Sequence, residues 1–248
     1  MTSIIRLFVP EILAKNKQIS IKDKKYNYLI NVMRRKVGGG LVLINGVDGE
    51  FSAEIIEIKK GNCVVRVVEN VGTFKKSKDL YLGFGLIKRI EFIAEKGTEL
   101  GVTEFFPLIT QRTVIKKINS ERFKANIIEA VEQSERLDLP KVNKLLKLKN
   151  FIESLSDRDF LIFCEERSKN NKKAYEVLID LKKKIEEKKP DCLGGVYILV
   201  GPEGGFSKEE VELVKNFQNT YSISLGERIL RAETATIVIL GLVQDVLF

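Results

Sequence analysis

The 248-residue chain contains no histidine. That removes the commonest general base, the Ser-His-Asp arrangement and every imidazole metal site. Its three cysteines, Cys63, Cys164 and Cys192, stand alone, with no CxxC pair and an odd total. A zinc site or a disulfide framework is therefore not expected. Long apolar runs are missing as well. No apolar run, Ile237 to Val243 included, approaches the roughly 20 residues of a membrane crossing. The opening MTSIIRLFVPEILAKNK has no continuous apolar stretch before a small-residue cleavage site, so it does not read as a signal peptide. A cytoplasmic protein without a membrane partner is expected.

What is present is a composition of 44% hydrophobic and 31% charged residues, that of a packed globular protein. The length favours two domains. Charge is unevenly shared. Residues 1 to 78 hold fifteen Lys or Arg against seven Asp or Glu, whereas the rest hold 27 of each. The whole net charge of +8 lies at the front, which points to a segment that meets a polyanion such as RNA.

The front segment predicts a compact β-barrel with one helix. Apolar Ile4 to Val9 and Ile19 to Ile21 come first, then a helix over Lys24 to Met33. The β-rich runs LVLING, FSAEIIEI and CVVRVV follow, separated by VDGE and KKGN turns. Gly72 to Asp79 is polar and basic, and reads as a linker. Beyond it, strand-like and helix-like runs alternate, which predicts a parallel α/β sheet. YLGFGLI precedes a helix over Ile90 to Leu100, and EFFPLIT precedes one over Arg122 to Arg136. DFLIFC precedes Ala174 to Glu187, VYILV precedes Ser207 to Phe217, and YSISL leads to the apolar end of the chain. That last segment cannot be told from a strand by pattern alone.

Two loops carry the chemistry. In YILVGPEGGFSKEE a buried-looking strand runs into a Gly-rich loop and then into a helix opened by the capping-box pattern Ser207 to Glu210. The loop is not a phosphate-binding P-loop, because Phe206 holds the second-glycine position and the Lys-Ser order is reversed. Glu203 would repel phosphates and tolerate a cationic ligand. The second loop, YSISLGERILRAETAT, brings Arg228 and Arg231 close to Glu233 and Thr234. If their strands are neighbours, the two loops wall one pocket. YLGFGLIKRIEF falls short of a dinucleotide fingerprint, since Lys88 stands at the third glycine; its glycines read as part of a core strand.

These residues resemble a family: the ribosomal small-subunit methyltransferases that modify N3 of a uridine in 16S rRNA, of the knotted SPOUT class. The resemblance rests on RLFVP, YLINVMRRKVGG, KRIEFIAEKGTELGV, PLITQRT, EQSERLDLP, LVGPEGGFS and SLGERILRAETA. It implies a PUA-like RNA-binding barrel over residues 1–74 and a SPOUT-type α/β domain over 75–248. It also implies a C-terminal trefoil knot, S-adenosylmethionine as methyl donor and a homodimer through the C-terminal domain. The donor would be held by Leu199, Val200, Gly201, Pro202, Glu203, Gly204 and Gly205, and by Leu225, Gly226, Ile229, Leu230, Arg231 and Thr234. Arg231, Glu203 and Glu233 would serve the reaction, with Lys96, Glu99, Gln133 and Arg136 nearby. Arg6, Arg34, Arg35, Lys88, Arg89 and Arg136 would meet RNA.

Three positions depart from the family pattern: Glu227 replaces a proline, Gly97 an alanine and Asn27 a histidine. The implied partner is 16S rRNA or the small subunit. In the reaction, Arg231 would stabilise the uridine anion, and the base is left between Glu203, Glu233 and solvent. The competing readings are a methyltransferase for another RNA position and a non-catalytic RNA-binding assembly protein.

Overall fold

The computed structural model describes residues 4–165, 173–187 and 194–248; Cys192 lies outside them. The chain divides into two units, residues 1–76 with 131–139 and residues 77–130 with 140–248.

The first unit contains β1 (Arg6–Phe8), β2 (Gln18–Lys22), α1 (Asp23–Tyr26), β3 (Gly40–Ile44), β4 (Glu50–Lys59) and β5 (Asn62–Gly72). The sheet order is β1-β3-β4-β5-β2, parallel between β1 and β3 and antiparallel elsewhere. Side chains alternate across a strand. Alternation sends Ile19 and Ile21 of β2, Ala53 and Ile55 of β4, and Cys63, Val65 and Val67 of β5 into one core with Leu7, Leu29 and Leu43. Register shifts along the β4–β5 pair are bulges of the kind that bend a sheet around its contents.

The helix expected over Lys24 to Met33 is in fact α1 followed by a π-helical turn, Asn27–Val32, in which the amide of Met33 donates to the Tyr28 carbonyl at 2.9 Å. The wider turn carries fully buried Leu29 inward, while Asn31 donates to Asn27 on the outside at 2.7 Å. It ends where Arg34 takes a left-handed φ of 52°.

The segment 131–139 is fastened to this unit by polar bonds. The Phe8 amide donates to Glu132 at 2.7 Å, and Arg6 bridges Glu50 at 2.9 Å and Glu135 at 2.8 Å. This alters the charge division read from the sequence. Counted with 131–139, the first unit holds fifteen basic against ten acidic side chains, leaving 27 against 24 in the second.

The second unit runs β6 (Leu80–Gly85), α2 (Ile90–Glu99), β7 (Glu104–Ile109), α3 (Ser120–Ser134), β8 (Lys141–Val142), β9 (Leu146–Lys147), α4 (Leu148–Ser154), β10 (Phe160–Cys164), α5 (Ala174–Glu187), β11 (Val196–Val200), α6 (Lys208–Lys215), β12 (Thr220–Ile223) and α7 (Ala232–Leu247); the last turn of α3, from Val131, belongs to the first unit. The sheet order is β12-β10-β11-β6-β7-β8, with β9 also on β7, and every pairing is parallel. Helices cover both faces, which is why β6, β10 and β11 read as nearly unbroken apolar runs. Leu148, Phe151 and Ile152 of α4 and Val214 of α6 pack on Leu108, Leu161, Phe163 and Leu199.

The pattern-ambiguous end of the chain is a helix. α7 buries Ile239, Leu240, Val243 and Val246, and being apolar on most of its circumference it shows no clear helical period.

The condition under which the two Gly-containing loops were expected to wall one pocket is not met. β11 and β12 are not neighbours, because β10 lies between them.

Candidate functional site

A parallel sheet collects the C-terminal ends of its strands along one edge, and ligands bind in the crevice there. A cavity of about 260 Å3 opens at that edge. One wall is the loop after β11, with Gly201, Pro202, Glu203 and Gly205. The opposite wall is the loop after β12, with Leu225, Gly226, Ile229, Leu230 and Arg231. The intervening strand supplies the floor, Phe163, Cys164 and Glu165. The two loops meet across the end of β10, so they wall one pocket although their strands are not neighbours.

Local chemistry fixes the first wall. The Gly205 amide donates to the Pro202 carbonyl at 2.8 Å, closing a turn in which Gly205 takes φ 66°, a region bulky side chains avoid. Pro202 rests on the end of β6: a Cβ at Gly85 would stand 2.4 Å from the proline Cδ. Gly85, read from sequence as an ordinary core-strand glycine, is thus the seat of the loop. A Cβ at Gly204 would likewise come within 3.0 Å of the Arg112 Cβ.

The capping box is formed. Ser207 Oγ accepts from the Glu210 amide at 3.2 Å, and a Glu210 carboxylate oxygen accepts from the Ser207 amide at 2.9 Å. The second oxygen of Glu210 accepts from the Gln111 amide at 2.8 Å. One buried carboxylate therefore ties the start of α6 to the turn after β7. In that turn the buried hydroxyls of Thr110 and Thr113 lie 2.8 Å apart. From it Arg112 reaches the cavity and donates to the Gly204 carbonyl at 3.1 Å.

The cavity is amphipathic. Phe163, Phe206, Val211 and Ile223 give it apolar surface. Among the described residues, none hydrogen-bonds to the backbone of Leu225, Ile229 or Leu230, so these amides and carbonyls are open to a ligand. Glu165 is held by Lys215 at 2.8 Å. Burial pushes the Cys164 thiol up to about 12, so it stays protonated near neutral pH and does not act as a nucleophile.

Of the expected donor-binding residues, Val200 also lines the cavity. Leu199 is buried in the core beneath it, and Thr234 is exposed on the first turn of α7, outside the lining. Glu203 lines the cavity and accepts from the Lys88 amide at 3.3 Å. Glu233 does not line it; this carboxylate is buried and faces Arg89 at 3.6 Å. Lys96 and Glu99 pair with each other at 2.8 Å on α2 and do not line the cavity. Gln133 and Arg136 belong to the first unit.

The expected RNA contacts divide. Arg34, Lys88 and Arg89 are exposed, and Arg35 is half-buried with its Nε unpartnered. Arg6 is engaged by Glu50 and Glu135, and Arg136 by Asp138 at 2.6 Å, so neither offers an uncompensated charge. The departures are also placed. A Cβ on Gly97 would press to 2.6 Å on the Phe105 ring, so this glycine makes room for a phenylalanine. Glu227 is exposed and outside the cavity lining.

Sequence reasoning missed the β10 floor and gave Arg112 no role. The signal existed in two places. DFLIFC ends in polar Cys164-Glu165 after an apolar run, and PLITQRT closes a strand with a polar turn.

Fold and cavity together define an RNA methyltransferase: residues 75–244 match the RNA methyltransferase domain, and residues 21–68 the RNA methyltransferase PUA domain. The protein named ribosomal RNA small subunit methyltransferase E in Rickettsia conorii is 35% identical over 96% of this chain and 94% of its own. This chain belongs to the ribosomal RNA small subunit methyltransferase E family. A methyltransferase of Legionella pneumophila, solved in complex with the bound cofactor SAM, superposes with a TM-score of 0.83 at 28% identity over 98% of both chains. The Neisseria gonorrhoeae ribosomal RNA small subunit methyltransferase E, solved bound to S-adenosyl methionine, shares the fold with a TM-score of 0.81 at 22% identity, again over 98% of both chains.

Proposed function

We propose that this chain transfers the methyl group of S-adenosylmethionine to N3 of a specific uridine in the 16S rRNA of the small ribosomal subunit. The observation that carries the reading is the meeting of LVGPEGGFS and SLGERILRAETA in one cavity, with Arg231 on its wall. The cavity suits the donor. Its apolar side chains fit a flat base, its open backbone groups fit the polar edges of a nucleoside, and the carboxylate of Glu203 suits a ligand bearing positive charge.

When bound, S-adenosylmethionine supplies a methyl carbon activated by the sulfonium. The protein's main task is to hold N3 about 3–3.5 Å from that carbon and in line with the breaking bond. N3 gives up its imide proton to a base and its electron pair to the methyl carbon, and the pair of the broken carbon–sulfur bond would stay on the donor's sulfur, leaving a neutral thioether. Arg231 stabilises the negative charge on the uridine oxygens. Glu203, on the cavity, accepts the proton; Glu233 is occupied by Arg89. The target base is presented unstacked, since N3 is covered by pairing in a duplex.

The reading assigns residues 1–74 to a PUA-like RNA anchor and 75–248 to a SPOUT catalytic domain. It takes α7, which packs on β11, α2 and α5, to complete a trefoil knot in a cytoplasmic homodimer. The test is nucleotide-resolved mass spectrometry of small-subunit RNA, methylated by the purified protein with S-adenosylmethionine after isolation from cells lacking the family's activity. A single N3-methyluridine is expected. A methyl group on another atom or another base overturns the assignment.

A further inference from the structure

The second unit is close to electroneutral as a whole, yet its charge is not evenly spread. Four loops leave the C-terminal ends of β6, β7, β11 and β12: residues 86–89, 110–119, 201–207 and 224–231. Together they hold seven Lys or Arg and two carboxylates, Glu203 and Glu227. Three of the seven lie in the loop after β7, where the resemblance implied no RNA contact. They are Arg112, Lys116 and Lys117, all exposed.

Arg112 stands out among them because its position is built. The turn that carries it is closed by buried Thr110 and Thr113 and pinned by Glu210 to the Gln111 amide. Its side chain lies across Gly204, where a Cβ would come within 3.0 Å, and Nη1 donates to the Gly204 carbonyl at 3.1 Å. Among the described residues no carboxylate pairs with it. The guanidinium is thus held at the cavity near enough to Glu209 for the two charges to act on each other, but in no ion pair, with only one of its five donors bound, to a carbonyl.

Resting on the reading of this chain as an RNA methyltransferase, we infer that Arg112, with Lys116 and Lys117 of the same loop, binds the phosphodiester backbone of the RNA beside the target nucleotide. The catalytic unit thereby carries its own RNA anchor, separate from the first unit. The chemistry is specific to that geometry. A planar guanidinium anchored at one edge presents its other edge to a phosphate as a bidentate donor. The two lysines extend the cationic track away from the cavity. The Gly204 bond places this contact directly on the loop that walls the donor cavity.

The experiment uses the full-length protein and a fluorescein-labelled single-stranded RNA fragment, with anisotropy read across a salt series, so that binding is measured without turnover. Arg112→Ala together with Lys116→Ala and Lys117→Ala is expected to weaken RNA binding about tenfold or more near ~0.15 M salt. The logarithmic salt slope should flatten by about two to three units, since each neutralised phosphate contributes roughly 0.7 to 0.9. Arg112→Lys alone should restore most of the slope but little of the methylation rate, because a point charge replaces a bidentate fork.

In Lys116→Ala with Lys117→Ala, neither of which lines the cavity, S-adenosylmethionine affinity by calorimetry should stay within about threefold, and the circular dichroism spectrum verifies that the triple variant is folded. Unchanged RNA affinity and slope in the triple variant overturn the inference. So does a loss of donor affinity with RNA binding intact, which would make Arg112 part of the donor loop. Wild-type protein that binds RNA but no S-adenosylmethionine would instead defeat the methyltransferase reading, and leave the RNA contact to be judged by the salt slope.

Discussion

The two units distribute their charge differently. The first has the larger net charge, but much of it is internally spent: Arg6 between Glu50 and Glu135, Arg136 on Asp138, Arg66 on Glu54 and Lys59 on Glu57. The second is nearly balanced in sum, yet on four loops at one edge of its sheet it sets seven cations against two carboxylates. Net charge read along a chain therefore ranks regions by composition, whereas binding depends on which charges lack a partner. Gly85, Gly204 and Gly205 admit close packing or a left-handed turn around a cavity, while Gly38 and Gly61 of the first unit sit in open space at positive φ and serve turns.

The sharpest test of that contrast is Gly205→Val. Valine is strained at φ 66°, and the turn it closes is a cavity wall. S-adenosylmethionine binding should fall below calorimetric detection while the circular dichroism spectrum is retained. Gly61→Val in the first unit should leave donor binding untouched. Equal affinities in the two variants would break the contrast.

Arg231→Ala should come next, lowering single-turnover methylation by about 100-fold while donor affinity moves only a few-fold. A comparable loss of donor affinity would move Arg231 from the reacting base to the cofactor.

Glu210→Ala removes the carboxylate that joins the α6 cap to the turn carrying Arg112. It leaves the amides of Ser207 and Gln111 without their partner, at a cost of roughly 1–3 kcal/mol. A lower thermal midpoint with weakened donor and RNA binding together is expected. Stability loss with both affinities preserved would show that the cap is structural only.

The smallest effect belongs to the first unit. Arg34→Ala with Arg35→Ala should flatten the RNA salt slope by about one to two units. Arg6→Ala should instead destabilise the protein by leaving Glu50 and Glu135 unpaired, with little change of slope. If Arg6→Ala flattens the slope as much as the double variant, its ion pairs open on RNA and the division between spent and available charge fails.

Local chemistry was legible from the sequence wherever neighbours in the chain act on one another. The capping box at Ser207 and Glu210, the helix over Ala174 to Glu187 and the β/α alternation all follow from short-range rules. So does the Gly-rich loop, because glycine and proline fix backbone freedom wherever they stand. The resemblance supplied the family, which no periodicity could have given. The helix over Asn27 to Val32 was harder. A π-helical turn differs from an α-turn by one residue per hydrogen-bonded loop, and here it carries Leu29 into a core assembled from distant strands.

By itself, then, the sequence determined that this chain lacks imidazole chemistry, that its second part alternates into a parallel sheet, and that two Gly-containing loops end strands of that sheet. Only the tertiary structure decided that β10 separates those strands, so that Phe163, Cys164 and Glu165 floor the cavity. It alone decided that residues 131–139 join the first unit and spend Arg6, and that Arg112 stands at the cavity across Gly204. Each of these joins residues far apart in sequence. Strand order and side-chain pairing are set by packing and charge between distant segments, and nothing in the local pattern of a chain records them.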